Sequence, residues 1–167
     1  MPSRRVAVNL NAGTYYLTLT VQRWYYLFDR HNRWQILADS LRYCQQHKGL
    51  ELNGYVFMLN HIHLIATSPD MAGFIRDFKR FTSVQFKNNL ETTEPGVLQL
   101  FMDNDGKYRF WMDTNAPKKI ENQAFYLQKL NYIHENPVRK TYVVKPEHWF
   151  WSSANPTPPL EVRFLGV

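Results

Sequence analysis

Along the chain, short stretches with two-residue apolar periodicity alternate with longer stretches of helical periodicity, and that alternation outlines a fold. Residues 13–22, GTYYLTLTVQ, interleave aromatic or apolar side chains with threonines, as a half-buried strand does. Asp29 or Asn32 then caps a helix running to about His47, with Trp34, Leu37, Leu41 and Cys44 on one stripe. Residues 50–58 predict a second strand and Asn60 a turn. The run over residues 55–69, YVFMLNHIHLIATSP, is apolar and β-branched, has no strong helical period and ends at a proline, so it reads as strand or hairpin. Pro69 and Asp70 open a second helix. On it Phe74, Phe78 and Phe81, flanked by Ile75 and Phe86, project to one side, and Arg76, Lys79, Arg80 and Lys87 cluster on the other.

Residues 88–113 are the least regular. Glu94-Pro95-Gly96 and Asn104-Asp105-Gly106 signal turns, the second a hairpin tip. Tyr108, Phe110 and Trp111 interleave with Lys107 and Arg109, a pattern that serves either base stacking or packing onto a core. Residues 118–121 form a short edge strand. Asn122 caps a last helix that ends near Asn136-Pro137, since proline stops propagation. From about Pro146 a proline- and tryptophan-rich tail reads as an extended strap across a single domain spanning residues 1–167. The order β-α-β-β-α-β plus one helix predicts an α+β, ferredoxin-like plan: a four-stranded antiparallel sheet with two helices on one face. The third strand is then interior, with Ile62, Leu64 and Ala66 under the helices and His61 and His63 on the open face, over which the last helix packs.

Composition narrows the class. At 167 residues, 44% hydrophobic, the chain is long enough for a real core. No window approaches the roughly 20 apolar residues of a membrane span, and the N-terminal MPSRRVAV lacks the apolar segment of a secretory signal. The single cysteine, Cys44, excludes an internal disulfide and fits a buried small residue in a reducing compartment. A net charge of +6 favours a polyanionic partner.

Two places carry candidate chemistry. His61 and His63 lie two residues apart on one strand face, about 7 Å in backbone spacing, so their imidazoles can share one metal ion if a third ligand arrives from elsewhere. Taken alone, such a pair is more often two histidines on a polar sheet face. The second place is LNYIHENPVRK, residues 130–140. At 100° per residue Ala124, Leu127, Leu130 and Ile133 form a packing arc, with Tyr132 and Asn136 nearly opposite and one turn apart. A tyrosine placed off the arc, beside an amide that can offer oxygen to a metal, is unusual for simple packing. His134 falls on the arc and reads as a core histidine satisfied by a hydrogen bond.

NHIHL followed by YIHENPVRK, together with the GTYYLTLTV strand, Phe110-Trp111 and SSA at residues 152–154, resembles the single-tyrosine HUH transposases, most nearly the branch associated with repetitive extragenic palindromes (REP). The resemblance implies a DNA strand transferase of the prokaryotic cytoplasm, monomeric or dimeric, acting on single-stranded DNA near hairpins. It makes Tyr132 the nucleophile and His61, His63 and Asn136 the ligands of a divalent metal, with the last helix carrying the nucleophile over the sheet. Leu59 stands where a proline commonly precedes the histidine motif, and Thr141 where a glycine usually follows NPVRK. The expected reaction is attack by tyrosine on a metal-neutralised phosphodiester, giving a 5′-phosphotyrosine and a free 3′ hydroxyl. Imidazole and amide ligands suit Mg²⁺ or Mn²⁺, and imidazole also suits zinc. Arg76, Lys79, Arg80, Lys87 and Arg109 are the candidate DNA-holding cations. A sheet that stacks RNA bases without catalysis, and a metal-dependent hydrolase working through water, are the competing classes.

Overall fold

The computed structural model describes residues 10–166, so the basic N-terminal stretch lies outside the described residues. Four strands form one antiparallel sheet: β1 (Gly13–Thr20), β2 (Glu51–Phe57), β3 (His61–Ser68) and the two-residue β4 (Lys118–Lys119). Their order is β2-β3-β1-β4, with β3 and β1 interior, as the ferredoxin-like plan requires. Helices α1 (Arg33–His47) and α2 (Met71–Thr93) cover one face, and α4 (Gln123–Arg139) crosses the other. A single turn, α3 (Pro95–Leu98), follows α2.

Strand alternation sorts the core into two layers. Leu17, Leu19, Tyr55, Phe57, Ile62, Leu64 and Ala66 face α1 and α2 with Leu37, Leu41, Phe74, Phe78 and Phe86. Tyr16, Val56, Met58 and Ile65 face α4 and pack on Tyr126 and Ile133. Phe110 and Trp111 are buried in the larger layer, so those rings are core and do not form a stacking surface. The Trp111 indole donates to Thr82 Oγ1 at 2.9 Å, which satisfies its N–H. Cys44 is buried there too.

Several boundaries differ from expectation for physical reasons. Helix α2 continues to Thr93, through part of the stretch that reads as irregular, because Phe86 and Leu90 keep the buried stripe in phase. Its start is as expected, with the Asp70 carboxylate accepting from Gly73 N at 2.9 Å. Phe81 is about half exposed rather than part of the buried stripe, which runs through Phe74, Phe78, Thr82 and Phe86. Helix α4 runs through Pro137 to Arg139 and gives up only the one hydrogen bond that proline cannot donate. Its buried residues are Tyr126, Ile133, Asn136 and Pro137, whereas Leu127 is exposed. The true packing arc is thus rotated from the expected one, and Tyr132 flanks it instead of lying opposite.

The rotation follows from a tether. A bulge in β2 between Leu52 and Gly54 turns the Asn53 carbonyl out of the ladder, and the Tyr126 hydroxyl donates to it at 2.6 Å. Next to it, Gly54 leaves the space that Leu130 fills: a Cβ there would lie 2.5 Å from Leu130 Cδ1. The tail from Pro146 is the expected strap. It runs along the outer side of β2, with Phe57 N donating to Trp151 O (2.8 Å), Ser153 N to Tyr55 O (3.0 Å) and Tyr55 N to Ser153 Oγ (2.9 Å). No described helix is long and apolar enough to cross a membrane.

Candidate active site on the open sheet face

His61 and His63 enter from β3, paired across the ladder with Thr20 and Thr18 of β1. Their ring centroids are 4.8 Å apart at 79°. Each ring has its Nδ1 engaged. Asn60 Nδ2 donates to Trp24 O at 3.0 Å, which fixes the amide so that its Oδ1 faces His61 Nδ1 at 2.7 Å. His61 must therefore carry its proton on Nδ1 and present Nε2 as a lone pair. His63 Nδ1 lies 3.1 Å from the Tyr16 hydroxyl and 3.0 Å from Thr18 Oγ1, leaving Nε2 as its open nitrogen. Tyr16 also stacks on the His63 ring at 5.7 Å and 17°.

Burial holds both imidazoles neutral. Desolvation pushes His61 down to about 4, with Lys140 adding to the effect. Desolvation, then His61, Arg139 and Lys129, push His63 down to about 3. Neutral rings with Nδ1 occupied and Nε2 free are what metal ligation by histidine requires.

Helix α4 brings the second motif over them. The Tyr132 ring meets His63 edge-on at 5.9 Å and 75° and remains 46% exposed, so its hydroxyl is reachable from solvent. Two cations lie against that ring: Arg139 Cζ at 4.3 Å and Lys129 Nζ at 5.6 Å from its centroid. Lys129 also sits 4.9 Å from the Tyr16 centroid, linking the helix cation to the ring that braces His63. Arg139 Nη2 donates to Tyr132 O at 2.6 Å, which fixes the guanidinium in place. Asn136, one turn beyond Tyr132, is only 5% exposed, and its side-chain amide makes no hydrogen bond to the described residues. Among the described residues no cluster of three or more His, Cys, Asp and Glu side chains is arranged to hold a metal. Open nitrogens on His61 and His63, and the Asn136 amide on the helix that crosses this face, are the donors it offers.

His134 is the core histidine expected, with Nε2 2.6 Å from Ser153 Oγ and burial pushing it down to about 4. The candidate DNA-holding cations lie elsewhere. Arg76, Lys79, Arg80 and Lys87 belong to α2, on the far side of the sheet from the histidines. Arg76 and Arg80 are exposed and contact Asp77, which Lys48 also holds. Lys79 donates to Met112 O at 2.8 Å, and burial pushes its ammonium down to about 8. Lys87 reaches Glu91, and Arg109 is held by Asp103 and Asp113. Sequence reasoning missed Tyr16, Thr18 and Asn60, which orient the histidines, because their role depends on strand register. Lys129 and Arg139, three before and seven after Tyr132, share its helical stripe and were open to detection from spacing.

No family model matches the chain, and no curated protein does either. Among solved structures, a REP-associated tyrosine transposase bound to a REP hairpin superposes over 87% of this chain and 78% of its own, at a TM-score of 0.66 and 20% identity. A candidate transposase from Deinococcus radiodurans R1 covers 81% of this chain and 97% of its own, at 17% identity and a TM-score of 0.48. The open-faced sheet with a helix across it is therefore the fold of the REP-associated tyrosine transposase, shared at low sequence identity.

Proposed function

We propose that the chain is a metal-dependent single-stranded DNA transesterase of the transposase type, cleaving and rejoining DNA near hairpins. Tyr132 is the nucleophile, and His61, His63 and Asn136 hold a divalent cation, Mg²⁺ or Mn²⁺. The observation that carries this reading is the seating of the exposed Tyr132 ring against His63, between two cations. The solved neighbour is bound to a REP hairpin, which supports hairpin DNA as the substrate class here.

A divalent cation held by His61, His63 and Asn136 would supply charge neutralisation of a scissile phosphate. The chain's own residues do the rest. Tyr16, Thr18 and Asn60 aim both Nε2 lone pairs, and burial keeps the rings from protonating away from that task. Lys129 and Arg139, held against the Tyr132 ring, put positive charge beside the place an anionic phosphodiester would take. The Tyr132 oxygen bonds to phosphorus as the phosphorus–O3′ bond breaks. The phenol proton goes to solvent, and the leaving 3′ oxygen takes one up. The resulting phosphodiester keeps its energy, so a 3′ hydroxyl can reverse the step and join strands without a nucleotide cofactor.

The test is incubation of the protein with Mn²⁺ or Mg²⁺ and labelled single-stranded DNA carrying a hairpin, followed by denaturing electrophoresis. A covalent adduct that disappears in Tyr132→Phe is expected. Cleaved product without adduct would make the protein a water-using hydrolase, and binding with neither would make it a non-catalytic nucleic-acid module.

A further inference from the structure

Beside the histidines the chain does something costly. Arg23 and Trp24, consecutive residues after β1, both adopt left-handed backbone angles (φ 62° and 50°). For bulky side chains this conformation is unfavourable, and two in succession persist only when the surroundings fix them. The surroundings are identifiable. Gln22 N donates to Phe110 O at 2.8 Å and Gln22 Nε2 to Trp111 O at 3.0 Å, fastening the turn to the core. Asn60 Nδ2 closes the turn by holding Trp24 O. What the turn achieves is display: the Trp24 indole is 67% exposed. A large ring held out in water by a strained, well-braced turn has no packing role to explain it.

One side chain ties the backbone of this turn to the site. The Asn60 amide bonds Trp24 through nitrogen and His61 through oxygen, so two hydrogen bonds separate the displayed ring's backbone from the imidazole. The same end of the sheet carries further rings. Tyr26 is half exposed and shares a hydroxyl contact with Tyr142, which stacks on Trp149 at 5.6 Å and 24°. Arg23 lies beside Trp24 in the chain, and Lys140 acts electrostatically on His61. Exposed rings with cations next to them, adjoining a phosphate site, are the elements of a single-strand track.

We infer that Trp24 is a stacking platform for an unpaired base next to the phosphate held at His61 and His63, with Tyr26 and Tyr142 continuing the path. This rests on reading the histidine face as a DNA site, and it assigns a residue outside the two histidine and tyrosine motifs. The ligand is a single-stranded nucleotide segment. A duplex, whose bases are already stacked, gains nothing from the ring.

The experiment uses the full chain as Tyr132→Phe, so that binding is read without chemistry. Fluorescence anisotropy compares Trp24, Trp24→Phe and Trp24→Ala on a single-stranded oligonucleotide with a hairpin, intact or carrying one abasic nucleotide at successive positions. Trp24→Ala is expected to weaken binding about tenfold, with Trp24→Phe close to the parent and urea midpoints unchanged. At one abasic position the penalty for Trp24→Ala should vanish, because the base it stacked is gone. Equal affinity of Trp24→Ala and parent, or a penalty undiminished at every abasic position, overturns the inference. A penalty that is as large on blunt duplex DNA also overturns it. Adduct formation by the Tyr132-containing protein is scored separately, so failure of the stacking platform and failure of the transesterase reading give different results.

Discussion

His63 is where the site's interactions converge: two hydroxyls at Nδ1, a stacked tyrosine, a second imidazole and the edge-on Tyr132 ring all meet it. The hydroxyls leave Nε2 open, so their removal should loosen the ligand without removing it. Tyr16→Phe combined with Thr18→Val is expected to weaken Mn²⁺ binding by about 10- to 100-fold, measured by titration calorimetry, while the fold persists. A second residue-scale prediction concerns Thr141, at φ 62° just past α4. A side chain there is strained where glycine is not, and Thr141→Gly should stabilise the protein by about 0.5–1 kcal/mol in urea denaturation. Strand alternation made the shared face of His61 and His63 legible, whereas Asn136, expected opposite the packing arc of the last helix, is buried on it. Arg33 was not legible. It is fully buried, bonded to Glu94 at 2.7 Å and to Asn89 Oδ1, Thr93 Oγ1 and Leu27 O, and nothing in its neighbours' pattern signals an interior cation.

At the scale of elements, that arginine pins the start of α1 to the end of α2. Removing one partner of a buried ion pair strands the other, so Glu94→Ala should cost about 3 kcal/mol, at the lower end for such losses because Glu94 is partly exposed. Equilibrium denaturation at pH 7 reads it directly. Helix α4 shows why its facing was misjudged. The apolar period alone favours Leu127, but the Tyr126 hydroxyl's bond to the bulged Asn53 carbonyl sets the rotation, and a polar anchor has no hydrophobic signature. The rotation places Tyr132 at the margin of the packed arc, close to His63 and still open to water. Helix α2 presents its basic residues across the sheet from this margin, and we propose them as a second DNA-holding surface. Reversing Arg76 and Arg80 to glutamate should weaken DNA binding and flatten its salt dependence by roughly 0.7–0.9 per lost phosphate contact. Unchanged slopes would confine DNA to the histidine face.

For the molecule as a whole, the strand and helix order was sufficient to give the sheet's topology, because short two-period runs between helical ones leave few alternatives. Register and tethers between distant segments were beyond it. Three histidines with desolvated rings, one buried and two partly buried, give the whole fold a pH dependence. His61, His63 and His134 are all pushed down, to about 4, 3 and 4, from an ordinary 6.5. The unfolded chain therefore binds protons that the folded chain refuses between pH 6.5 and about 4. Stability is full above pH 6.5 and is lost as pH falls through that window. Each tenfold change in proton affinity is worth roughly 1.4 kcal/mol, so urea midpoints should drop markedly from pH 7 to pH 4.5. Midpoints that stay level would mean these rings are not closed off from water.

The strap from Pro146 has a consequence for how copies of the chain coexist. With Trp149, Trp151 and Ser153 taking up the amides and carbonyls of Tyr55 and Phe57, the flank of the sheet offers a neighbouring molecule little to pair with, and β4 at the opposite flank is only two residues long. Proteolytic nicking near Lys145 would bare a flat, apolar template, and concentration-dependent oligomers seen by light scattering should follow.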